Sequence, residues 1–405
     1  MILILGYGIS GKAAASLLRM RGIPFIAVDK KPEEGVLSDS ADLSLEEVTQ
    51  VILSPGVPPT HPLVLKAVQM GIEVVGEMEY ALRLTQNRCV GITGSNGKTT
   101  TTLLAAHALN ANGIQAKAVG NVGLALSTYL LDPNLKEILI IELSSFQLET
   151  LREKKFEMGV ILNLFPNHLN RHASMEEYVA AKVNLQRCLK PNGKLLVSEQ
   201  AFPICQAHLQ PGILEIFCSE KIRPEQFPQF IAAQNIAAAE RIAASFGIGR
   251  EAFLGTLPMF EKPPHRLEWV ATKENIHYYN DSKASSVEAV GHAISWFSQP
   301  VVLIVGGVDK GSPYHPWIES FRGKVKKIVA YGEASAKIQR EIGTYYPLDL
   351  VTTLQEAVIG AVRSATSGDV VLLSPGCSSY DQFQSFEHRG DEFKRLVRET
   401  IGVRL

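Results

Sequence analysis

Short β-branched runs alternate with amphipathic stretches along most of the chain. MILILG is followed by a helical pattern over Ser10–Arg21, then by PFIAVDKK, VILSPGV and IEVVGE. Apolar runs this short, separated by helix-length segments, predict parallel strands covered by helices. The pattern restarts at CVGITG and passes through TTTLLAAHALN, EILIIELSS and MGVILNLF. It ends on the alanine-rich FIAAQNIAAAERIAASFG, which reads as a buried helix. Ser174 and Glu177 form an S-x-x-E signature that predicts a helix over EEYVAAKVNLQRCL. Beyond EKPPH, where Pro263 and Pro264 cannot continue a helix, βα units resume with PVVLIVGGVDKG, KIVAYGEAS and DVVLLSPGC.

Three α/β domains follow from this pattern. The first, 1–86, the second, 87–262, and the third, 263–405, each read as mostly parallel strands covered by helices. The length of 405 residues agrees, since roughly 100–200 residues per domain allow about two to four. Forty basic residues balance forty-one acidic ones, so nothing in the overall charge calls for a nucleic-acid partner or an anionic membrane. MILILG is too short for a signal segment and no apolar run spans a bilayer. The expectation is a soluble cytoplasmic protein, a monomer by default. Cys89, Cys188, Cys205, Cys218 and Cys377 are scattered without a C-x-x-C pair, which predicts reduced core thiols and no zinc knuckle.

Two glycine loops carry the candidate chemistry. Gly6, Gly8 and Gly11 in ILGYGISGKAA spell G-x-G-x-x-G, with Asp29 at the end of the next strand where a dinucleotide site would hold a ribose. The second loop, TGSNGKTT, approximates a Walker A sequence: Ile92 stands where its first glycine is expected and the glycine sits at Gly94. Because it follows a strand and opens a helix, Lys98 is expected to reach the β/γ-phosphates and Thr99 to ligate Mg²⁺. Glu142 ends an apolar strand at the carboxyl edge where open sheets bind ligands. By position it suits either a metal ligand or a carboxylate satisfied by loop N–H groups. His168, in NLFPNHLNRH, follows another strand; a lone histidine there is more often structural. Lys182, one turn after Tyr178, reads by itself as a solvated lysine.

TGSNGKTTT, ELSSFQLE, NHLNRH, YVAAK, HRLE, NDSKASS, GGVDKG and SPGCSSYDQF, in this order, resemble the Mur ligase family over nearly the whole chain. The resemblance implies three α/β domains: an N-terminal Rossmann-like domain for the UDP-sugar, a central P-loop ATPase with a mostly parallel sheet, and a C-terminal Rossmann-like domain for the amino acid. It implies ATP-dependent amide formation through an acyl phosphate, with UDP-N-acetylmuramoyl-L-alanine and D-glutamate as substrates. The first glycine loop then becomes a UDP cradle formed by Gly8, Ile9, Ser10, Asp29, Lys30 and Lys31, with Asn121 and His168 reaching the sugar. ATP falls to Gly94, Ser95, Asn96, Gly97, Lys98, Thr99 and Thr100, with Asn235 at the adenine, Arg266 at a phosphate and Asp281 at the ribose.

Two Mg²⁺ ions are implied, held by Thr99 and Glu142, and by Glu142, His168 and a carbamylated Lys182. Carbamylation gives Lys182 the anionic oxygen that Mg²⁺ favours. D-Glutamate falls to Ser285, Lys310, Ser379 and Phe386, the last of which suits core packing equally well on sequence grounds. The chain departs from the family pattern in Asn167-His168-Leu169-Asn170, which lacks two carboxylates, and in Ser285-Ser286 for a frequent Thr-Asn pair. Two other classes stay in view. An NAD(P) oxidoreductase needs more chain than the stretch from Gly6 to Cys89 provides for a six-strand fold, and a non-catalytic UDP-sugar sensor has no need of the lysines and metal ligands.

Overall fold

A computed structural model describes residues 1–168, 171–219 and 231–403. Its strands are β1 (Ile2–Leu5), β2 (Phe25–Asp29), β3 (Leu37–Ser38), β4 (Gln50–Leu53), β5 (Glu73–Gly76), β6 (Cys89–Thr93), β7 (Ala116–Gly120), β8 (Ile138–Glu142), β9 (Phe156–Ile161), β10 (Leu189–Ser198), β11 (Leu214–Phe217), β12 (Glu268–Lys273), β13 (Ile276–Asn280), β14 (Val301–Gly306), β15 (Val325–Tyr331), β16 (Leu348–Leu350) and β17 (Val370–Gly376). They form three sheets, ordered β3-β2-β1-β4-β5, β11-β10-β9-β6-β8-β7 and β12-β13-β17-β14-β15-β16. All pairings in the first two are parallel. In the third only β12–β13 is antiparallel.

Contacts group the chain into two compact units. One comprises Met1–Leu164 and Glu176–Phe260 and holds the first two sheets; the other comprises Phe165–Met175 and Glu261–Leu405 and holds the third. In the first sheet, Leu3, Leu5, Val28, Val51 and Leu53 bury one face against Leu63, Val64 and Ala67 of the helix Pro62–Gln69. In the second, Val90, Ile92, Ile140 and Val160 pack under two helices, Lys98–Ala111 and Ala233–Ser245, through Leu104, Leu109, Ile236 and Ile242. Both helices are rich in alanine or threonine at the contact, which permits close approach of their backbones.

Some local expectations needed revision. The helix drawn over EEYVAAKVNLQRCL runs only from Met175 to Val183 and tightens into a 3-10 turn over Asn184–Cys188. The strand read from MGVILNLF begins earlier, at Phe156, and stops at Ile161. Cys218 is exposed, whereas the other four thiols are buried and all five are free. Leu169 and Asn170 lie outside the described residues. Among the described residues no helix is long and apolar enough to cross a membrane.

Candidate functional site

The second glycine loop leaves β6 and enters the helix Lys98–Ala111. Gly94 (φ 155) and Gly97 (φ 81) adopt backbone conformations that L side chains rarely take. A Cβ on Gly97 would collide with the carboxamide of Asn235, so the residue expected at adenine packs against the loop itself. Lys98 folds back over the turn and donates from Nζ to the carbonyls of Gly94 (2.9 Å) and Ser95 (3.0 Å). Its charge is thereby held at the loop, beside the positive end of the helix, whose first-turn N–H groups have no acceptor within the helix itself.

Lys182 is not the solvated lysine its position alone suggested. It is 2% exposed, donating from Nζ to the Gly94 carbonyl (2.8 Å) and to Thr93 Oγ1 (3.4 Å), with the Tyr178 ring centroid 4.8 Å away. Tyr178 in turn shares a hydrogen bond with Ser95 Oγ (2.8 Å). Burial, aided by the nearby Lys98 charge and opposed by Glu142, holds the Lys182 ammonium well below its ordinary pKa.

Glu142 ends β8 in register with Ile92 of β6, and it is buried. Oε1 accepts from Asn121 Nδ2 at 2.9 Å, and Asn121 N–H donates to the Glu142 carbonyl at 3.0 Å. Oε2 is buried with no hydrogen-bond partner among the described residues. A buried carboxylate oxygen left in this state is costly unless a cation covers it. With the Thr99 hydroxyl near the start of the helix, the donor chemistry suits a hard divalent ion. Among the described residues no three His, Cys, Asp or Glu side chains gather into a metal site, and the set expected from sequence draws instead on a threonine and a modified lysine. His168 (φ 58) falls in the segment that groups with the other unit.

The first glycine loop is braced from several directions. Ser54 Oγ donates to the Gly6 carbonyl (2.6 Å), while Asp29 accepts from the N–H groups of Tyr7 (2.6 Å) and Lys31 (2.8 Å). Burial would raise the Asp29 carboxyl, but the Lys31 and Tyr7 N–H groups and the charges of Lys31 and Lys12 bring it below its ordinary value. Gly8 caps the helix Ile9–Met20 and open space surrounds the position of its missing Cβ. Ile9 is 85% exposed; Lys30 and Lys31 are exposed as well. Together these leave an open helix N-terminus beside β1, the central strand of its sheet.

In the other unit, the turns after β13, β14 and β17 come to one edge of the sheet. Lys310 Nζ donates to Ser285 Oγ at 3.1 Å. The GGVDKG and SPGCSS loops are stitched by Val308 N–H to the Ser378 carbonyl (2.9 Å) and the reverse bond (3.1 Å). Ser379 is buried. Phe386 is half-buried at the start of the helix Phe386–Ile401, with Lys283 Nζ 3.6 Å from its ring centroid. Sequence reasoning missed Arg389, which is fully buried and donates to Ser282 Oγ (2.9 Å), the Ser282 carbonyl (2.7 Å) and the Cys377 carbonyl (3.2 Å). It ties two of the three turns to the last helix.

Asp281 is buried, accepting from Ser374 Oγ (2.9 Å) and Leu267 N–H (3.2 Å). Burial outweighs these bonds and the charges of Lys262 and Arg266, and pushes its carboxyl up to about 7. His265 (φ 65) is buried against Gly390, with Nδ1 2.9 Å from Asn280 Nδ2, while Arg266 is half-buried.

Comparison with known proteins fits this arrangement. Residues 92–212 match the Mur ligase middle domain and residues 265–377 the Mur ligase glutamate ligase domain. The chain is 40% identical to the UDP-N-acetylmuramoylalanine–D-glutamate ligase of Protochlamydia amoebophila (strain UWE25), over 98% of this chain and 97% of that one. It is 38% identical to the enzyme of that name from Chlamydia pneumoniae, over 100% and 99%. In fold it is similar to the MurF ligase of Thermotoga maritima in complex with ADP, with a TM-score of 0.64 at 16% identity, covering 100% of this chain and 95% of that one. The UDP-N-acetylmuramate-alanine ligase MurC from Thermotoga maritima gives 0.63 at 17%, covering 98% and 99%. A glycine loop with two lysines folded over it and a buried half-paired carboxylate thus sits in a chain that, over its full length, belongs to the Mur ligase family, among the UDP-N-acetylmuramoylalanine–D-glutamate ligases.

Proposed function

We propose that the protein joins D-glutamate to UDP-N-acetylmuramoyl-L-alanine at the expense of ATP, in cytoplasmic synthesis of peptidoglycan precursors. The observation that carries this reading is the Gly94–Thr100 loop with Lys98 and Glu142, in a chain similar end to end to D-glutamate ligases. The domain division follows function: 1–86 for the sugar nucleotide, 87–262 for ATP and 263–405 for the amino acid.

In this reading the L-alanine carboxylate attacks the γ-phosphorus of ATP. An O–P bond forms, the bond to the β-phosphate oxygen breaks, and ADP leaves with its electron pair. The amine of D-glutamate then attacks the acyl carbon, and inorganic phosphate departs as the amide forms and the amine loses its proton. Such transfers need positioning and charge neutralisation above all. Lys98 and the first-turn N–H groups of Lys98–Ala111 meet the phosphate charge. Thr99 and Glu142 would hold Mg²⁺, which neutralises phosphate oxygens; Glu142, His168 and carbamylated Lys182 would hold a second ion.

The depressed Lys182 pKa supports carbamylation, because a neutral amine can add CO₂ and release a proton. Gly8, Ile9 and Ser10 offer the helix N-terminus to the UDP diphosphate, while Lys310, Ser285 and Ser379 supply a cation and hydroxyls to the D-glutamate carboxylates. Phosphate release tests the whole scheme. Turnover is expected only when ATP, Mg²⁺, the sugar nucleotide and D-glutamate are all present; equal turnover with L-glutamate or diaminopimelate would reassign the acceptor.

A further inference from the structure

The triphosphate loop is gripped by a residue just past the end of β9. Asn163, which is buried, takes hold of one residue of the loop, Asn96, at both its N–H and its carbonyl. Its Oδ1 accepts from Asn96 N–H at 2.8 Å and its Nδ2 donates to the Asn96 carbonyl at 3.2 Å. The same Nδ2 donates its other proton to Gln234 Oε1 at 2.8 Å. The Asn163 carbonyl accepts from Ser95 N–H at 2.8 Å. Gln234 continues the chain of bonds to Gln200 Oε1 at 3.1 Å.

These bonds decide which amides face an anion. An anion-binding loop works by aiming N–H groups at oxygens. Here the N–H groups of Ser95 and Asn96 are already committed to Asn163. The first-turn amides of Lys98–Ala111 have no intrahelical acceptor by the geometry of a helix. The bidentate grip thus divides the loop into an anchored half, Ser95–Asn96, and a half directed at phosphate, Gly97–Thr100. Gln234 adds a second link, since it neighbours Asn235, whose carboxamide packs on Gly97. The left-handed turn at Gly97 is therefore held from Asn163 on one side and from the start of the helix Ala233–Ser245 on the other.

We infer that Asn163, supported by Gln234, is a positioning residue for the ATP triphosphate: it fixes the loop in the anion-binding conformation without touching the nucleotide. The inference rests on the ATP-dependent reading above. It also revises the expected role of Ser95 and Asn96, whose backbone N–H groups serve the loop's anchorage.

Asn163→Ala removes both halves of the grip. Asn163→Asp keeps the shape and the acceptor for Asn96 N–H but turns an acceptor toward the Asn96 carbonyl. Gln234→Ala, at a half-buried position, loosens the carboxamide without breaking the grip. The experiment measures dissociation constants for a fluorescent ADP analogue and for UDP-N-acetylmuramoyl-L-alanine, together with thermal unfolding midpoints, on the full chain. The expected result is a loss of ADP affinity of about tenfold or more in both Asn163 variants and a smaller loss in Gln234→Ala. Sugar-nucleotide affinity should hold within about twofold and the effects of Asn163→Ala and Gln234→Ala should be non-additive when combined. Unchanged ADP affinity in the Asn163 variants would overturn the inference, as would a parallel loss of both ligands with a lowered midpoint. If the unmodified chain binds the sugar nucleotide but not ADP, the ATP-dependent reading fails with it, a result distinct from failure of Asn163 alone.

Discussion

Asn121 donates its carboxamide to Oε1 of Glu142 at 2.9 Å, and the other oxygen of that buried carboxylate is left with no partner among the described residues. The bond fixes the carboxylate's orientation from the loop after β7, a strand that pairs with β8 along its length. An asparagine expected at the sugar is thus also the support of the acid expected at the metal. Removing such a support commonly weakens metal binding without removing a ligand.

Asn121→Ala should accordingly raise the Mg²⁺ concentration needed for half-maximal phosphate release by about ten- to a hundredfold. Glu142→Gln, which keeps the shape but removes the charge, should lower kcat by about a hundredfold or more even at saturating Mg²⁺. A Mg²⁺ titration of the three proteins distinguishes the two effects. An unchanged half-saturation point in Asn121→Ala would mean that the asparagine does not orient the acid.

Two glycines of the first loop should respond in opposite ways. Gly8 has φ −74 and open space where a Cβ would go, and it is the N-cap of its helix. Gly8→Asp places a favoured capping side chain there, so the thermal midpoint should hold or rise. The same carboxylate repels a diphosphate, and KM for the sugar nucleotide should rise by about tenfold or more while KM for ATP stays. Gly11→Ala instead drives a Cβ into the Gly6 carbonyl, and should cost about 1–3 kcal/mol of stability. Urea unfolding of both variants, with isothermal titration of the sugar nucleotide, reads out the contrast.

What the sequence made legible was the sheet framework and the loops at its carboxyl edges. β1 and β6 are short, mostly apolar runs followed at once by a glycine, and β8 and β14 end on an acid and a glycine; that local pattern needs no knowledge of the tertiary fold. Buried polar partners were illegible for the opposite reason. Lys182 looks solvated on a helix until β6 and Tyr178 close over it, and Arg389 looks like any basic residue in a charged helix until the turns of Ser282 and Cys377 meet it. Asn163 was closer to view: it lies two residues past the end of β9, at the same carboxyl edge of the sheet that drew notice to Glu142 at the end of β8. The short strands β3 and β16, of two and three residues, carry too few for period or composition to mark them.

Lys310 and Ser285 touch at 3.1 Å across two turns of the third sheet. If they meet the far carboxylate of D-glutamate, Lys310→Met should raise KM for D-glutamate by about ten- to a hundredfold, the scale of a lost charge-assisted hydrogen bond. Ser285→Ala should have a smaller effect in the same direction. KM for ATP is expected to move little in either. Steady-state phosphate release with each substrate varied in turn checks this, and a rise in KM for ATP alone would place Lys310 at the nucleotide instead.

Asp281 should make the second unit's stability depend on pH. Its carboxyl is raised from an ordinary 3.8 to about 7, with burial the leading cause. The folded state therefore binds the proton more tightly than the unfolded chain. Stability is highest while the group is protonated, below the ordinary carboxylate value, and falls as pH rises through that value towards about 7. Asp281→Asn can still accept from Leu267 N–H and can donate to Ser374 Oγ, so it keeps the bonds but not the charge. The variant should match the unmodified chain near pH 4 and exceed it near pH 7 by an amount on the order of a few kcal/mol. Lys262, whose ammonium is lowered to about 8, faces the same carboxylate, which confines the comparison to lower pH. Denaturant unfolding followed between pH 4 and pH 7 measures the difference; a gap that stays constant with pH would show that Asp281 ionises normally. If Asp281 also meets the ribose, the stabilised variant should lose ATP affinity, because the charge that strains the fold is the one that serves the ligand.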